Sequence, residues 1–316
     1  MKKIAVFLLF VLGTANAQTY PARPIRVIVP VGPGGGFDLL ARVVAPRLSD
    51  QLGQPVVVEN RPGAGSLVGT EAVAKAPHDG YTLLIGGVTN MAANAGLYKS
   101  LPYDPLDFKP ISLTVNYPFC LLARKDLPQS SLKEVIAFAK SNPGKMTYAS
   151  AGVGTAQHVV GALLAHLTGT EMLHIPYKGA AAAHTDMVAG RVDLFFNNCG
   201  VVKSFVEGGQ MKLLAVSGRQ RTPAYPSIPT VVETGVADLQ FDSWIGFFVG
   251  AKTPQPIIDR LRQEVAKALA TPEISERLQR DGGELLRMSP AESEAFLQAE
   301  VKKWRELIPK AGVQAQ

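Results

Sequence analysis

The sequence predicts an α/β protein of two lobes, with a ligand cleft between them and two segments where the chain crosses from one lobe to the other. Three observations carry this. Strand and helix patterns alternate in two successive sets, which is the order of parallel α/β units with right-handed crossovers. Each set holds a glycine-rich loop between a strand and a helix. Extended apolar runs near 116–120 and 242–247 stand where the chain would leave the first set and return to it. The length of 316 residues fits about two domains.

The first set begins at 26–31 (RVIVPV), a β-branched apolar run that reads as a buried parallel strand. It ends in Gly32-Pro33-Gly34-Gly35-Gly36. Residues 38–52 place Leu39, Leu40, Val43, Val44 and Leu48 at helical spacing. Strands at 55–59 and 81–86 follow, with a short helix at 66–75 between them. The second set starts with a strand at 119–123 and a helix at 131–141. A strand at 146–150 leads through Ala151-Gly152-Val153-Gly154-Thr155 into a helix at 156–168. Strands at 174–177, 192–196 and 212–217 complete it, and 241–249 (FDSWIGFFV) is an extended run that returns to the first set. The C-terminus is helical. Thr253 and Pro254 start one helix. Ser289-Pro290-Ala291-Glu292 is a capping box with proline at the first helical position, and it opens the last helix. The stripe Leu297, Val301, Trp304 and Ile308 reads as ordinary core packing. The lobes are expected at 18–117 with 243–316, and at 118–242.

The composition removes several classes. With 47% hydrophobic and 18% charged residues the chain can build a core, so wholesale disorder is excluded. The net charge is +6, of which Lys2 and Lys3 supply two, and the remainder is interspersed with acidic residues. No basic tract or basic–aromatic ladder exists, so nucleic acid is not an expected partner.

The first 17 residues set the compartment. Lys2 and Lys3 form a basic start, 4–12 a short apolar stretch, and Ala15-Asn16-Ala17 a small-x-small cleavage site. This is the pattern of a cleavable secretory signal peptide, and the apolar stretch is too short to span a bilayer. Cys120 and Cys199 would then meet an oxidising compartment. They can pair or remain buried thiols, and their spacing of 79 has no metal-site pattern.

The chemistry-bearing loops come next. Gly34, Gly35, Gly36, Phe37 and Asp38 lie between a strand and a helix. Bare glycine backbone and a helix N-terminus together offer N–H donors and a positive dipole end, which suits a carboxylate or phosphate. Asp38 is a plausible N-cap. Phe37 stands at the third glycine position of G-x-G-x-x-G, and no Gly-Lys-Ser/Thr follows, so neither a dinucleotide nor a nucleotide triphosphate is indicated. The second loop has the same plan and adds Ser150, Gly152, Gly154, Thr155 and His158. Two such loops facing each other would grip an anion through N–H groups, hydroxyls and water, because neither contains Lys or Arg. Residues just past strand ends, where ligands of α/β sheets sit, are Val88-Thr89-Asn90, Tyr177-Lys178-Gly179 and Asn197-Asn198, of which Thr89, Asn90, Tyr177 and Asn197 are the expected contacts. Histidines 78, 158, 166, 174 and 184 form no metal pattern, and no cofactor is expected. Ser150 lacks the first glycine of G-x-S-x-G. It stays open as a hydrolase nucleophile only through its nearness to His158.

Several long segments in order resemble one family. They are YPARPIRVIVPVGPGGGFDLLAR, VVVENRPGAGSLVGTEAVAKAPHDGYTLLIG, SAGVGTAQH, IPYKGAAAA, LLAVSGRQRTPAYPSIPTVVETG and WIGFFVGAKTP. From about 20 to 312 the chain is similar to the Bug receptors, the TctC-like periplasmic binding proteins of tripartite tricarboxylate transporters. The resemblance implies a type II periplasmic-binding-protein-like fold, no catalysis, and capture of an organic carboxylate for membrane permease subunits. It places the ligand carboxylate, with ordered waters, at 34–38 and 150–155. Two departures stand out. Phe37 replaces a small residue, often Thr, and either stacks on an aromatic acid, narrows the site, or packs away from it. Asn197 stands where acidic residues are common, which suits an anionic ligand. A signalling adaptor with the same ligand capture, and an exported hydrolase, are the alternatives. A monomer is expected, since lobe closure is simplest with free lobes.

Overall fold

The computed structural model describes residues 20–310. The expected signal peptide and its cleavage site lie outside the described residues. The first βαβαβ unit runs β1 (Ile25–Val29), α1 (Gly36–Leu52), β2 (Val56–Asn60), α2 (Leu67–Ala74) and β3 (Thr82–Gly87). Its strands are parallel, with β1 in the middle. α1 buries Leu40, Val44, Leu48 and Leu52, one stripe at four-residue spacing, and ends at Gly53 in the left-handed conformation. After β3, a π-helical turn (Thr89–Ala93) runs into α3 (Asn94–Leu97).

β4 (Phe108–Arg124) is 17 residues long and belongs to both halves of the molecule. Its first part pairs antiparallel with β9 (Asp242–Gly250), and β9 pairs antiparallel with β3. Its last part pairs antiparallel with β7 (Leu194–Asn198) and β8 (Met211–Val216). Between these lie α4 (Leu132–Ser141), β5 (Met146–Ser150), α5 (Ala156–Thr168), β6 (Met172–Pro176), α6 (Ala180–Val188) and α7 (Lys203–Glu207). β5 sits between β6 and β7, parallel to both. The strand path is β2-β1-β3-β9-β4-β7-β5-β6. After β9 come α8 (Gln255–Leu269), α9 (Pro272–Arg280), β10 (Glu284–Leu285), which pairs with β4, and α10 (Pro290–Lys310).

The fold is the two-lobed α/β clamp of type II periplasmic binding proteins. The ribbon formed by β4 and β9 is the double crossing, and Pro118 faces Asp242 at its far end. One core lies between α1, α8, α9 and the first sheet, with Ile25, Val27, Leu48, Phe247 and Leu261 almost wholly buried. Each such side chain contributes about 1.5–3 kcal/mol relative to exposure. α5 and α10 bury their stripes in a second core, which includes Trp304. The capping box closes as its residues require: Glu292 N–H donates to Ser289 Oγ (3.3 Å) and Ser289 N–H to Glu292 Oε2 (2.7 Å).

Four readings of the sequence change. β4 begins at Phe108, not at Phe119, because bulges between Pro110 and Ser112 and between Leu113 and Val115 absorb residues that read as breakers. The N-cap of α1 is Gly35, and Asp38 sits in the first turn instead. Thr89 and Asn90, read only as residues past the end of a strand, lie in the π-helical turn. α6 was not assigned from the sequence, since its alanine run has no apolar stripe to mark it. The open question over the cysteines resolves to a disulfide between Cys120 and Cys199, which ties β4 to the residue following β7. No helix among the described residues is long and apolar enough to cross a membrane.

Candidate functional site

Three helices aim their N-termini at one cavity on the crossing ribbon. α1 starts at Gly35, α5 at Thr155 and α6 at Gly179, and none of the three caps carries a side-chain hydrogen bond. Each N-terminus leaves backbone N–H groups without helical acceptors and carries about half a positive charge. Gly35, Gly36, Thr155, Ala156, Gly179 and Ala180 all line the cavity. Thr89, Gln157, Asn198 and Ser243 add side-chain polar groups to its wall, and no charged residue does. The arrangement can hold a carboxylate without a salt bridge.

The halves are closed over this cavity, which has about 30 Å³ of free space, room for roughly a water or two. Ala156 N–H donates to Thr89 Oγ1 at 3.0 Å, one residue from each half. The cavity opens into a wider mouth of about 450 Å³. Pro30, Val31 and residues 62–66 form one side of the mouth, and Gly152, Val153, Tyr177 and Lys178 the other. Lys178 is the one charged residue among those lining the two spaces.

The loop before α1 is held from behind. Asp38 is buried and accepts from Arg42 Nε (3.0 Å), Asn60 Nδ2 (2.9 Å) and, at 3.4 Å, the Gly34 N–H. Asn60 also donates to Val31 O at 3.1 Å. Asp38 therefore braces the loop and does not present its carboxylate to the cavity. Gly36 has no room for a side chain: a Cβ there would lie 2.8 Å from Asn198 Oδ1, in the other half. Phe37 lines the cavity with part of its ring but is only 7% exposed. Its ring tip lies over Gly87, where a Cβ would sit 2.6 Å from Phe37 Cζ. Phe37 is thus wall and core at once, and it narrows the site.

The second loop is held the same way. Gly152 O accepts from Thr155 Oγ1 (2.7 Å) and Ser150 Oγ (3.0 Å). Ser150 Oγ also lies 2.6 Å from His174 Nε2. His174 stacks between Tyr148 and His158, at centroid distances of 4.9 and 4.1 Å. His158 Nδ1 accepts the Gly154 N–H at 3.2 Å. Burial, with His158 beside it, pushes the His174 pKa down to about 3, and burial lowers that of His158. The stack is neutral at neutral pH. Ser150 pairs with His174 and not with His158, and it is wholly enclosed, so the pair orders the loop.

The sequence-derived residues therefore divide. Gly35, Gly36, Phe37, Thr89 and Thr155 line the deep cavity, and Gly152, Thr155 and Tyr177 the mouth. Gly34 faces Ala181 of α6 without lining either space. Asp38, Ser150, Gly154 and His158 form the supports just described. Asn90 is wholly buried: its Oδ1 accepts the Gly87 N–H (3.0 Å) and its Nδ2 donates to Thr70 Oγ1 (2.9 Å). Asn197 is also wholly buried. It pairs with His184 Nε2 at 3.0 Å, and its Oδ1 accepts the Asn198 N–H at 2.9 Å and a longer contact from Gln157 Nε2. Burial pushes the His184 pKa down to about 4.

The sequence reading does not select Gln157 or Ser243, and from the strand-end groups Tyr177-Lys178-Gly179 and Asn197-Asn198 it takes Tyr177 and Asn197 as the ligand contacts rather than Gly179, the N-cap of α6, and Asn198. Neighbouring strand residues point to opposite faces, so only the register of β7 tells Asn198 from Asn197. Asn198 Nδ2 is buried without a hydrogen-bond partner in the described structure. The glycine before the alanine run at 180–183 is the signal that marks α6.

Two closed lobes, joined by a double crossing and meeting on helix N-termini, define the class as a periplasmic-type solute-binding protein. The chain belongs to the tripartite tricarboxylate transporter receptor family, whose model matches residues 40–313. It is similar to the periplasmic binding protein BugD (36% identity, TM-score 0.88, 94% of this chain and 100% of that one). It is similar to an R. palustris protein solved with adipate (33%, TM-score 0.88, 93% and 98%). MatC from Rhodopseudomonas palustris, solved with bound malate, is 30% identical with a TM-score of 0.87, covering 92% and 100%.

Proposed function

We propose that this protein is a periplasmic receptor that captures an organic carboxylate and presents it to the permease of a tripartite tricarboxylate-type transporter, without catalysis. The observation that carries this is the convergence of three uncapped helix N-termini on a cavity with no charged wall residue. A carboxylate supplies the acceptors those N–H groups lack. The adipate and malate complexes of its structural relatives support the same ligand class. The lobes are 18–117 with 243–316, and 118–242, and export proceeds by cleavage after Ala17.

The carboxylate head sits in the deep cavity, and the body extends into the mouth, where Pro30, Val31, Pro62, Val153 and Tyr177 give an apolar wall. Phe37 narrows the head site, so the bulk of an aromatic or otherwise wide ligand lies in the mouth. The ligand-binding set is Gly35, Gly36, Phe37, Thr89, Gly152, Thr155, Tyr177, Gln157, Asn198 and Ser243. Gly34, Asp38, Asn90, Ser150, Gly154, His158 and Asn197 act through them. Closure follows from the ligand binding the closed form more tightly than the open one. A thermal-shift screen of unfolded and refolded protein against aliphatic and aromatic mono-, di- and tricarboxylates tests this. A saturating ligand at 100 times its Kd adds about 2.7 kcal/mol of stability. Silence across the panel would remove the carboxylate reading.

A further inference from the structure

The crossing ribbon has a second cavity on its other face. Side chains alternate along a strand. On β9, Ser243 lines the ligand cavity, whereas its neighbours Asp242 and Trp244 line a separate space of about 370 Å³. On β4, Phe119 lines the ligand cavity and Asn116 the second space. α10 closes this posterior cavity with Phe296, Glu300, Lys303 and Trp304, Leu286 adds to the same side, and Arg219 and Gln240, from the chain between β8 and β9, close it from the other half. Two cavities on opposite faces of a hinge are mechanically opposed: widening the front cleft brings the posterior walls together.

The posterior walls have a defined chemistry. Glu300 is fully engaged: it accepts from Trp244 Nε1 (2.7 Å), Trp304 Nε1 (3.1 Å) and Lys303 Nζ (2.5 Å). These bonds fix both indoles, and Phe296 packs edge-on against Trp244 at 5.5 Å. Asn116 Oδ1 is buried without a donor. Asp242 makes no salt bridge among the described residues, and burial raises its pKa, with a hydrogen bond from the Asn116 amide and the charges of Arg219 and Lys303 opposing. Of the two cations on the wall, Lys303 is held by Glu300, so the Asp242 carboxylate and Asn116 Oδ1 stand beside the aromatic wall as acceptors for an ammonium group on an apolar body.

We propose that the posterior cavity is a second ligand site, for a small organic amine, and that its occupation holds the front cleft closed. The amine hydrogen-bonds to Asp242 and Asn116, and its body lies against Trp244 and Phe296. Because the occupant spans both halves, opening must expel or compress it. Linkage then requires that amine and front ligand each raise the other's affinity.

Benzylamine is the probe, with benzyl alcohol as the same body lacking the cation. Calorimetric titration of the refolded full chain should show one saturable benzylamine site, at least tenfold weaker for benzyl alcohol. Asp242→Asn and Phe296→Ala should each weaken benzylamine tenfold or more. Small-angle scattering should show a smaller radius of gyration with benzylamine present and no carboxylate added. Gln240→Trp, at an exposed position, should fill the space without disturbing the core, block benzylamine, and compact the protein by itself. Equal binding of the alcohol, binding untouched by these variants, no binding at all, or expansion on binding would overturn the proposal. Because none of these readouts needs the front ligand, they stand apart from the test of the carboxylate reading.

Discussion

Thr89 Oγ1 accepts the Ala156 N–H at 3.0 Å, and this single bond joins the π-helical turn after β3 to the first residue of α5 across the cleft. It is made only when the lobes are closed. Thr89→Val removes the acceptor and leaves a buried N–H in the closed form, a loss of about 1–3 kcal/mol. Ligand affinity should fall at least about fivefold, with the ligand-free melting temperature little changed. Calorimetry with the best carboxylate, together with scattering of the free protein, checks both parts.

Gly36→Ala should act mainly on closure, since the other close neighbour of an added Cβ, Ile245 Cδ1 at 3.0 Å, is the flexible end of a side chain in the same half. The added Cβ meets Asn198 Oδ1 at 2.8 Å, a clash that exists only when both halves are together. Overpacking of this kind costs about 1–3 kcal/mol, so affinity should drop about fivefold or more. Unaltered affinity would mean that the closed form differs from the one described.

Asn198 and Asn197 should separate cleanly. Asn198→Ala removes a donor from the cavity and should weaken ligand binding without lowering the melting temperature by more than a degree or two. Asn197→Ala breaks a wholly buried network with His184 and should lower the melting temperature clearly. Thermal melts and titrations on the two variants decide the register argument.

The Cys120–Cys199 disulfide closes a loop of 79 residues, and its removal should cost about 2–4 kcal/mol. Denaturant melts of Cys120→Ser/Cys199→Ser under oxidising conditions test this. Since the bond lies beside Asn198, the double variant should also bind more weakly.

Acid should destabilise the fold through His174 and His184. Their folded pKa values are pushed down to about 3 and about 4, below the unfolded value of about 6.5. The stability they hold is complete above pH 6.5 and is lost as pH falls toward 3, because the unfolded chain takes up the protons first. His174→Gln should flatten the melting-temperature profile in that window.

Much of this was legible beforehand. β5 and α5 fall at the predicted residues, because an apolar run, a glycine loop and an amphipathic stripe mark them unambiguously. The glycine loops were legible as N–H sources for the same reason. Asp38, Asn90 and Asn197 were not separable from cavity residues, because polar identity does not show which side of a loop or strand a side chain takes. Their orientation depends on Arg42, Thr70 and His184, all distant in sequence. The two prolines of β4 half hide it in the sequence, and the partner of Ser150 is His174 on the adjacent strand rather than His158, the nearer in sequence.

The most direct test of the account is calorimetric titration of ligand-stripped protein with a carboxylate and with its methyl ester. Adipate, malate and benzoate, each beside its ester, form the first set. At least one acid should bind at a single site and compact the protein in scattering, while its ester binds a hundredfold more weakly or not at all. An ester that binds as well as its acid, or no binding by any carboxylate, would contradict a site built from uncapped helix N-termini.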